Sequence, residues 1–325
     1  MATLTMKAAR VTAWGSPPSC IDTSDLPPPL PSQLQLKVLA AAVPRVVQLR
    51  ASRKHPSAST AVLPFDPSID GVGIDEATGQ KYFIPTLAAP VFAERANVDR
   101  SQLIQLPAEA DAVTIAALAN PVTSSWMALR CRTVDGSCLH RTVLILGATS
   151  ASGRAAAFVA RLLGASRVVG VSRCQQTLDC VEGLDERVVL PPEGEPLTMP
   201  DSVGSVQVVL DYVGGPAAVR IMQAVEIGKE DLQYIIIGGL AGQENLDLPM
   251  RMVNTRPIRI MGSGIGSLRR KEINHEMEGL VGAIVEVAAK MEELPFEVLP
   301  VPLAEIHSVW GKEAIMNTKR VVLVP

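Results

Sequence analysis

The amino-acid sequence predicts an α/β protein in two parts: a β-rich, barrel-like first domain, then a doubly wound parallel sheet. Three observations carry this reading. Residues 1–110 are short apolar alternations punctuated by proline, the texture of strands joined by turns. From about residue 112 the strand-like runs become continuous rather than alternating, the pattern of parallel strands buried on both faces. Helical stretches lie between those runs, and such alternation implies a parallel sheet covered on both sides. With 47% hydrophobic and 19% charged residues among 325, the chain can bury cores for about two domains.

Taken in order, Met6–Ala13 reads as a strand, the cluster Pro27, Pro28, Pro29 and Pro31 as a loop, and Gln33–Ala42 as a second strand. Ala112–Arg130 reads as a helix. Pro121 is expected to break or kink it, because proline removes a backbone donor and clashes with the preceding turn. Thr142–Leu146 is a strand, Gly153–Leu163 an alanine-rich helix closed by Gly164 as a natural C-cap, and Arg167–Val171 the next strand. Val206–Leu210, Tyr234–Ile237 and Ile258–Met261 are further strands, each leading into glycine. Beyond residue 267 come a helix near Asn274–Met291 and two strand-like pieces near Glu297–Val301 and Val321–Val324.

Composition narrows the function. A net charge of -3 leaves no broad basic field, so no nucleic-acid and no membrane partner is expected. The longest uncharged window, Ala112–Leu129, is interrupted by Asn120, Pro121, Thr123, Ser124 and Ser125, and is not read as a membrane span, which needs about 20 mostly apolar residues. Lys7 and Arg10 are followed by no apolar run, so no signal peptide is expected. Five cysteines, Cys20, Cys131, Cys138, Cys174 and Cys180, form no CxxC pair and are odd in number. They read as free thiols of a reducing compartment, and a cytoplasmic location is expected.

The most informative segment is Thr142-Val-Leu-Ile-Leu-Gly147-Ala-Thr149-Ser150-Ala151-Ser-Gly153, a buried strand running through a tight turn into a helix. Backbone amides at a helix start, with the helix dipole behind them, favour a pyrophosphate. Gly147 and Gly153 keep the outer positions of a GxxGxxG pattern, and the middle one is Ser150, which either crowds a diphosphate or hydrogen-bonds to it. The bland alternative is a strand–helix turn that binds nothing. The second strand ends at Ser172-Arg173, about 20 residues past Gly153 and with no acidic residue there; arginine at that place favours a 2′-phosphate, hence NADPH. The remaining strand ends carry Asp211-Tyr212-Val-Gly-Gly215, Gly238-Gly239 and Gly262-Ser-Gly264-Ile-Gly266, where ligands of open α/β sheets lie. Gly147, Thr149, Ser150, Ala151, Gly153, Ser172, Arg173, Asp211, Gly238, Gly239 and Gly264 are therefore the candidate cofactor-binding residues of a Rossmann domain.

With these residues in place, the chain resembles the zinc-independent quinone oxidoreductase branch of the medium-chain dehydrogenase/reductase superfamily. The likeness runs through Met6-Lys-Ala-Ala, Leu49-Arg-Ala-Ser-Arg-Lys-His55, Asp70-Gly-Val-Gly73, Phe92-Ala-Glu-Arg95, Asn120-Pro-Val-Thr-Ser-Ser-Trp126, Leu146-Gly-Ala-Thr149, Leu210-Asp-Tyr212 and Lys319-Arg-Val-Val-Leu-Val-Pro325. It implies a GroES-like domain formed by residues 1–121 and 267–325, and a Rossmann domain at 122–266. It also implies NADPH as cofactor, a homodimer, and metal-free hydride transfer to a quinone or to the double bond of an enone or enoyl compound. The first domain offers only Cys20 and His55 toward zinc, which wants a tetrahedral set of soft or imidazole donors, so no metal is expected. The chain departs from the family's habit at Ala42-Val-Pro44-Arg45, at Val122-Thr123 and after Tyr212.

For a small-molecule oxidoreductase the protein must position substrate, stabilise a developing oxygen charge and deliver a proton. Tyr212 is the candidate acid or orienting residue, and Ser124 and Ser125 are candidate hydrogen-bonding groups. Arg50, Lys54 and His55 either face an anionic substrate or sit on a solvated loop; His140, His275 and His307 read as surface residues. Two other functions stay open: a non-redox cyclisation or isomerisation on the same scaffold, and a non-catalytic nucleotide-binding protein.

Overall fold

The structure, a computed structural model, describes residues 5–243, 245–290, 296–316 and 319–325. It divides into two compact units, Met1–Asn120 with Met277–Pro325, and Pro121–Glu276.

In the first unit, β1 (Thr5–Arg10) pairs antiparallel with β2 (Ser19–Ser24). β1 is shorter than the expected strand to Ala13: Val11 bridges Phe65, and the chain then turns so that Trp14 lies against the Phe65 ring. β3 (Gln33–Ala42) has the predicted ends. It is followed by α1 (Arg45–Ala51), β4 (Gly71–Ile74), β5 (Lys81–Ile84), β6 (Arg95–Asp99) and β7 (Ile104–Gln105). β3 organises the sheet, pairing with both β4 and β6. Its inward side chains Leu36 and Val38 join Val47, Ile69, Ile84 and Phe92 in one core.

α2 (Ala112–Arg132) runs through Pro121 without a break. The proline leaves the Ala117 carbonyl without the amide that residue 121 would supply, and one turn on the Ser124 hydroxyl donates to the Pro121 carbonyl at 2.8 Å. This helix is long and apolar enough to cross a membrane by length and composition, but 67% of its most apolar stretch is buried in the fold, as in a core helix.

The second unit holds β8 (Thr142–Leu146), α3 (Ala151–Leu162), β9 (Arg167–Ser172), α4 (Gln175–Asp179), β10 (Glu186–Val189), β11 (Val208–Asp211), α5 (Gly215–Ala224), β12 (Leu232–Ile236), α6 (Met250–Thr255) and β13 (Ile258–Gly262). The six strands form one parallel sheet in the order β10-β9-β8-β11-β12-β13. This is the Rossmann order, with the connections reversing direction between β8 and β11. Leu144, Leu146, Val169, Val171 and Val209 are fully buried, which explains their unbroken apolar runs. β10 escaped the sequence reading because an edge strand carrying Glu186 and Arg187 has no such run.

The chain continues as α7 (Arg270–Lys290), β14 (Glu297–Pro302), α8 (Ile306–Val309), α9 (Glu313–Met316) and β15 (Lys319–Val324). The expected helix end at Met291 lies outside the described residues. β15 pairs with β14 and with the end of β3, so Val301, Leu303, Val321 and Leu323 complete the first unit's core. The second unit ends inside α7, after Glu276, rather than at residue 266. The reason is local: the Glu276 carboxylate accepts from Trp126 Nε1 (3.0 Å) and Arg130 Nε (2.9 Å), which fixes the first turns of α7 to this unit.

Candidate nucleotide-binding site

The turn after β8 lies at the switch point of the parallel sheet, where ligands of such sheets bind. Gly147 takes a φ of +90°, and a Cβ there would also sit 3.0 Å from Val213 Cγ2. At Gly153 a Cβ would fall 2.3 Å from the Gly147 carbonyl oxygen and 2.7 Å from Ala148 Cα, so only glycine lets α3 approach the strand this closely.

Ser150 is engaged within the turn itself. Its hydroxyl accepts from the Gly153 amide at 3.0 Å and donates to the Gly147 carbonyl at 2.8 Å. It is the N-cap of α3, which therefore starts at Ala151 rather than Gly153. Both contacts keep the hydroxyl inside the turn. The Ala151 and Ser152 amides, the first two of the helix, have no carbonyl a turn behind them and point out of its end.

The rest of the rim is held by short polar contacts. Thr149 Oγ1 meets Ser172 Oγ at 2.9 Å, joining the turn to the end of β9. Arg154, which the sequence reading missed, donates from Nε to the Thr149 carbonyl (3.2 Å) and from Nη1 to the Cys180 carbonyl (3.0 Å), bracing the turn from α3. Arg173, just past β9, is exposed and makes no hydrogen bond or ion pair among the described residues.

Asp211 has a different role from the ligand contact expected of it. Its buried carboxylate accepts from the Val213 and Gly214 amides, both at 2.8 Å, and from the Tyr234 hydroxyl at 3.0 Å. Burial pushes its pKa up, against the pull of the two amides. It shapes the turn after β11 and has no free face for a ribose. Gly238 is also structural, since a Cβ there would lie 2.8 Å from the Tyr212 carbonyl. Gly239, Gly262, Gly264 and Gly266 differ: a Cβ on any of them meets nothing within 4 Å, and none has a positive φ.

Tyr212 and Ser124 are brought together, with 3.5 Å between hydroxyl oxygens, a distance at the limit of a hydrogen bond. Both face inward. Tyr212 is 4% exposed, and burial raises its phenol well above the ordinary value, so it stays protonated. Ser125 donates to the Val122 carbonyl at 3.1 Å. Tyr212 is thus a neutral phenol with its hydroxyl toward Ser124. Two other hydroxyls of this unit, Thr123 Oγ1 and Ser263 Oγ, are buried without a partner among the described residues; only spatial structure reveals them.

In the first unit, Arg50 is 5% exposed and staples α1 to the following segment, donating to the Pro67 carbonyl (2.9 Å) and Ser57 Oγ (2.6 Å) over the Phe65 ring. His55 Nδ1 pairs with the same Ser57 hydroxyl at 2.8 Å. Arg50 is spent on the fold and His55 is half-buried, whereas Lys54, His140, His275 and His307 are exposed. Among the described residues, no three His, Cys, Asp or Glu side chains gather as a metal site, and all five cysteines are free thiols.

No protein-family model matches the chain. A probable NADPH-dependent quinone reductase, tdiC of Emericella nidulans, is 45% identical to it, with 98% of this chain and 100% of that protein aligned. Among solved structures, a putative NADPH:quinone reductase from Bacillus thuringiensis superposes with a TM-score of 0.77 at 16% identity, covering 99% of this chain and 100% of that one. The quinone oxidoreductase of Thermus thermophilus, solved also with NADPH, gives 0.71 at 22% identity, covering 98% and 100%. The structural matches carry the fold, GroES-like plus Rossmann, and the full-length relative carries the kinship: this chain belongs to the quinone oxidoreductase-like branch of the medium-chain dehydrogenase/reductase superfamily.

Proposed function

We propose that the protein is an NADPH-dependent reductase that delivers hydride, without metal, to a quinone or to the conjugated double bond of an enone or enoyl compound. The observation that carries this reading is the Gly147–Gly153 turn at the switch point of the sheet, in a chain 45% identical over its length to a probable NADPH-dependent quinone reductase.

The residues present fit the cofactor. The Ala151 and Ser152 amides suit the diphosphate, and the partner-free Arg173 beside a strand end without an acid suits a 2′-phosphate. Gly239, Gly262, Gly264 and Gly266 leave backbone open to a flat ring and ribose. Bound NADPH supplies the hydride, and the acceptor takes up a proton beside it. Tyr212, kept neutral by burial, orients through Ser124 rather than ionising. The donor set for zinc is missing from the described residues, which supports metal-free chemistry.

β13 ends the sheet with Ile260 and Met261 exposed, and Met250 and Val253 on α6 are exposed as well. An apolar, unpaired edge of this kind supports a homodimer formed through it. Five free thiols support a reducing, cytoplasmic location. The non-redox reading drew on Ser150 and on the altered residues at Ala42–Arg45, Val122–Thr123 and after Tyr212; of these, the Ser150 hydroxyl is engaged in the helix cap, which favours the reductase. Titration with NADPH and NADH, then turnover on a panel of quinones, enones and enoyl thioesters, tests the proposal. One NADPH consumed per acceptor reduced supports it; no binding of either nucleotide overturns it.

A further inference from the structure

The loop Gly262-Ser-Gly-Ile-Gly-Ser267 leaves the carboxyl end of β13 and leads to α7. Three of its six residues are glycines that neither a positive φ nor a packing contact requires. Such a segment loses more chain entropy on ordering than any other and needs outside ties to hold one shape.

Arg132, the last residue of α2 and 9% exposed, supplies them. Its Nε donates to the Gly262 carbonyl (3.1 Å) and its Nη2 to the Ser267 carbonyl (2.6 Å), so one guanidinium grips both ends of the loop. Nη1 reaches the Cys131 carbonyl (2.9 Å) and Glu272 Oε1 (3.3 Å), and Glu272 Oε2 accepts from the Arg269 amide (2.7 Å). Inside the grip the Ser267 hydroxyl bridges to the Gly262 and Gly264 carbonyls at 3.0 and 2.9 Å. The planar fork sets the spacing of its acceptors, which a lysine ammonium cannot copy.

The held loop presents something unspent. Ser263 is 7% exposed, its amide is used by the Ile236 carbonyl at 2.8 Å, and its hydroxyl has no partner among the described residues. A buried hydroxyl without a partner is costly unless a ligand completes it.

We propose that Arg132 is a positioning residue: it holds the Gly262–Ser267 loop in the shape that receives the nicotinamide half of the cofactor, with the Ser263 hydroxyl as the polar contact. This rests on the NADPH-dependent reading above. The test compares two ligands on the purified full-length protein: NADPH, and 2′,5′-ADP, which carries the adenosine end but no nicotinamide. In Arg132→Gln we expect NADPH affinity to fall about tenfold or more while 2′,5′-ADP affinity stays within about twofold, and Arg132→Lys not to restore the NADPH affinity. Equal losses for both ligands mean that the arginine supports only the unit's general stability; no loss for either means that the loop does not need it. Both overturn the proposal. If Arg132→Gln does not fold, Glu272→Gln, which keeps the arginine but loosens its fourth contact, should show the same split at about threefold, and an equal or absent loss is again refuting. Wild-type protein that binds 2′,5′-ADP but gains nothing from the nicotinamide half also sinks the inference. Wild-type protein that binds neither ligand removes the reductase reading itself.

Discussion

Replacing Ser150 with alanine separates a capping hydroxyl from a ligand-binding one. In the structure Ser150 Oγ accepts from the Gly153 amide and donates to the Gly147 carbonyl. Removing it exposes one helix N-terminal donor, which typically costs about 1 kcal/mol. The Gly147 carbonyl keeps the Ser150 backbone amide at 3.0 Å, so the second lost contact adds little. For an unfolding unit of about 150 residues, 1 kcal/mol lowers the melting temperature by about 2–4 °C. The Ala151 and Ser152 amides are untouched, so NADPH affinity should change by less than about twofold. Ser150→Gly, which keeps the cap position but lacks the hydroxyl, should cost only a few tenths of a kcal/mol. Differential scanning calorimetry and a nucleotide titration on the same preparations decide it. A tenfold loss of NADPH affinity with an unchanged melting temperature would mean the hydroxyl faces the phosphate, and the capping argument would fall.

Other substitutions probe the neighbouring contacts. Gly153→Ala gains about 1 kcal/mol in helix propensity but drives a Cβ to 2.3 Å from a backbone oxygen, so a net loss of about 2 kcal/mol is expected; equal or greater stability in urea unfolding would contradict the packing argument. Arg173→Ala should weaken NADPH about tenfold and leave NADH within about twofold, and equal effects on the two would remove the 2′-phosphate assignment. Asp70 is buried with Oδ1 unpartnered among the described residues, and burial raises its carboxyl to about 7 from the ordinary 3.8, with Arg320 pulling it down. The folded protein thus holds a proton that the unfolded chain has released, and stability must fall as pH rises through that window. The stability of wild type relative to Asp70→Asn should fall by up to about 1.4 kcal/mol per pH unit between about pH 5 and 7; a flat difference refutes it.

Much of the fold was legible because it rests on patterns local to the chain. Thr142–Leu146 and Gln33–Ala42 emerge as strands with their predicted ends, one an unbroken apolar run and the other bounded by turn chemistry. What failed was wherever one residue type serves two physical ends. Asp211 reads as a candidate cofactor-binding residue at a strand end, yet it spends one oxygen on the Val213 and Gly214 amides of its own turn, a habit of turn Asp that sequence alone can flag. Ser150 is a favoured N-cap residue as readily as a phosphate ligand. Arg132 gave no signal, because its acceptors Gly262, Ser267 and Glu272 are distant in sequence and meet it only once α2 lies beside β13 and α7.

The glycines show the same ambiguity and how the structure divides it. In the sequence, Gly147, Gly153, Gly238 and Gly262 are alike: small residues after parallel strands. In space Gly147 is explained by its φ, and Gly153 and Gly238 by atoms that leave no room for a Cβ. Gly239, Gly262, Gly264 and Gly266 have neither reason. A glycine on a strand-end loop that relieves no internal clash leaves its backbone open to close approach. Gly239 follows β12, and Gly262, Gly264 and Gly266 run from the end of β13 around Ser263, whose hydroxyl has no partner among the described residues. The strand-end loops that folding explains least are the ones to which the proposal above brings the nicotinamide end of the cofactor.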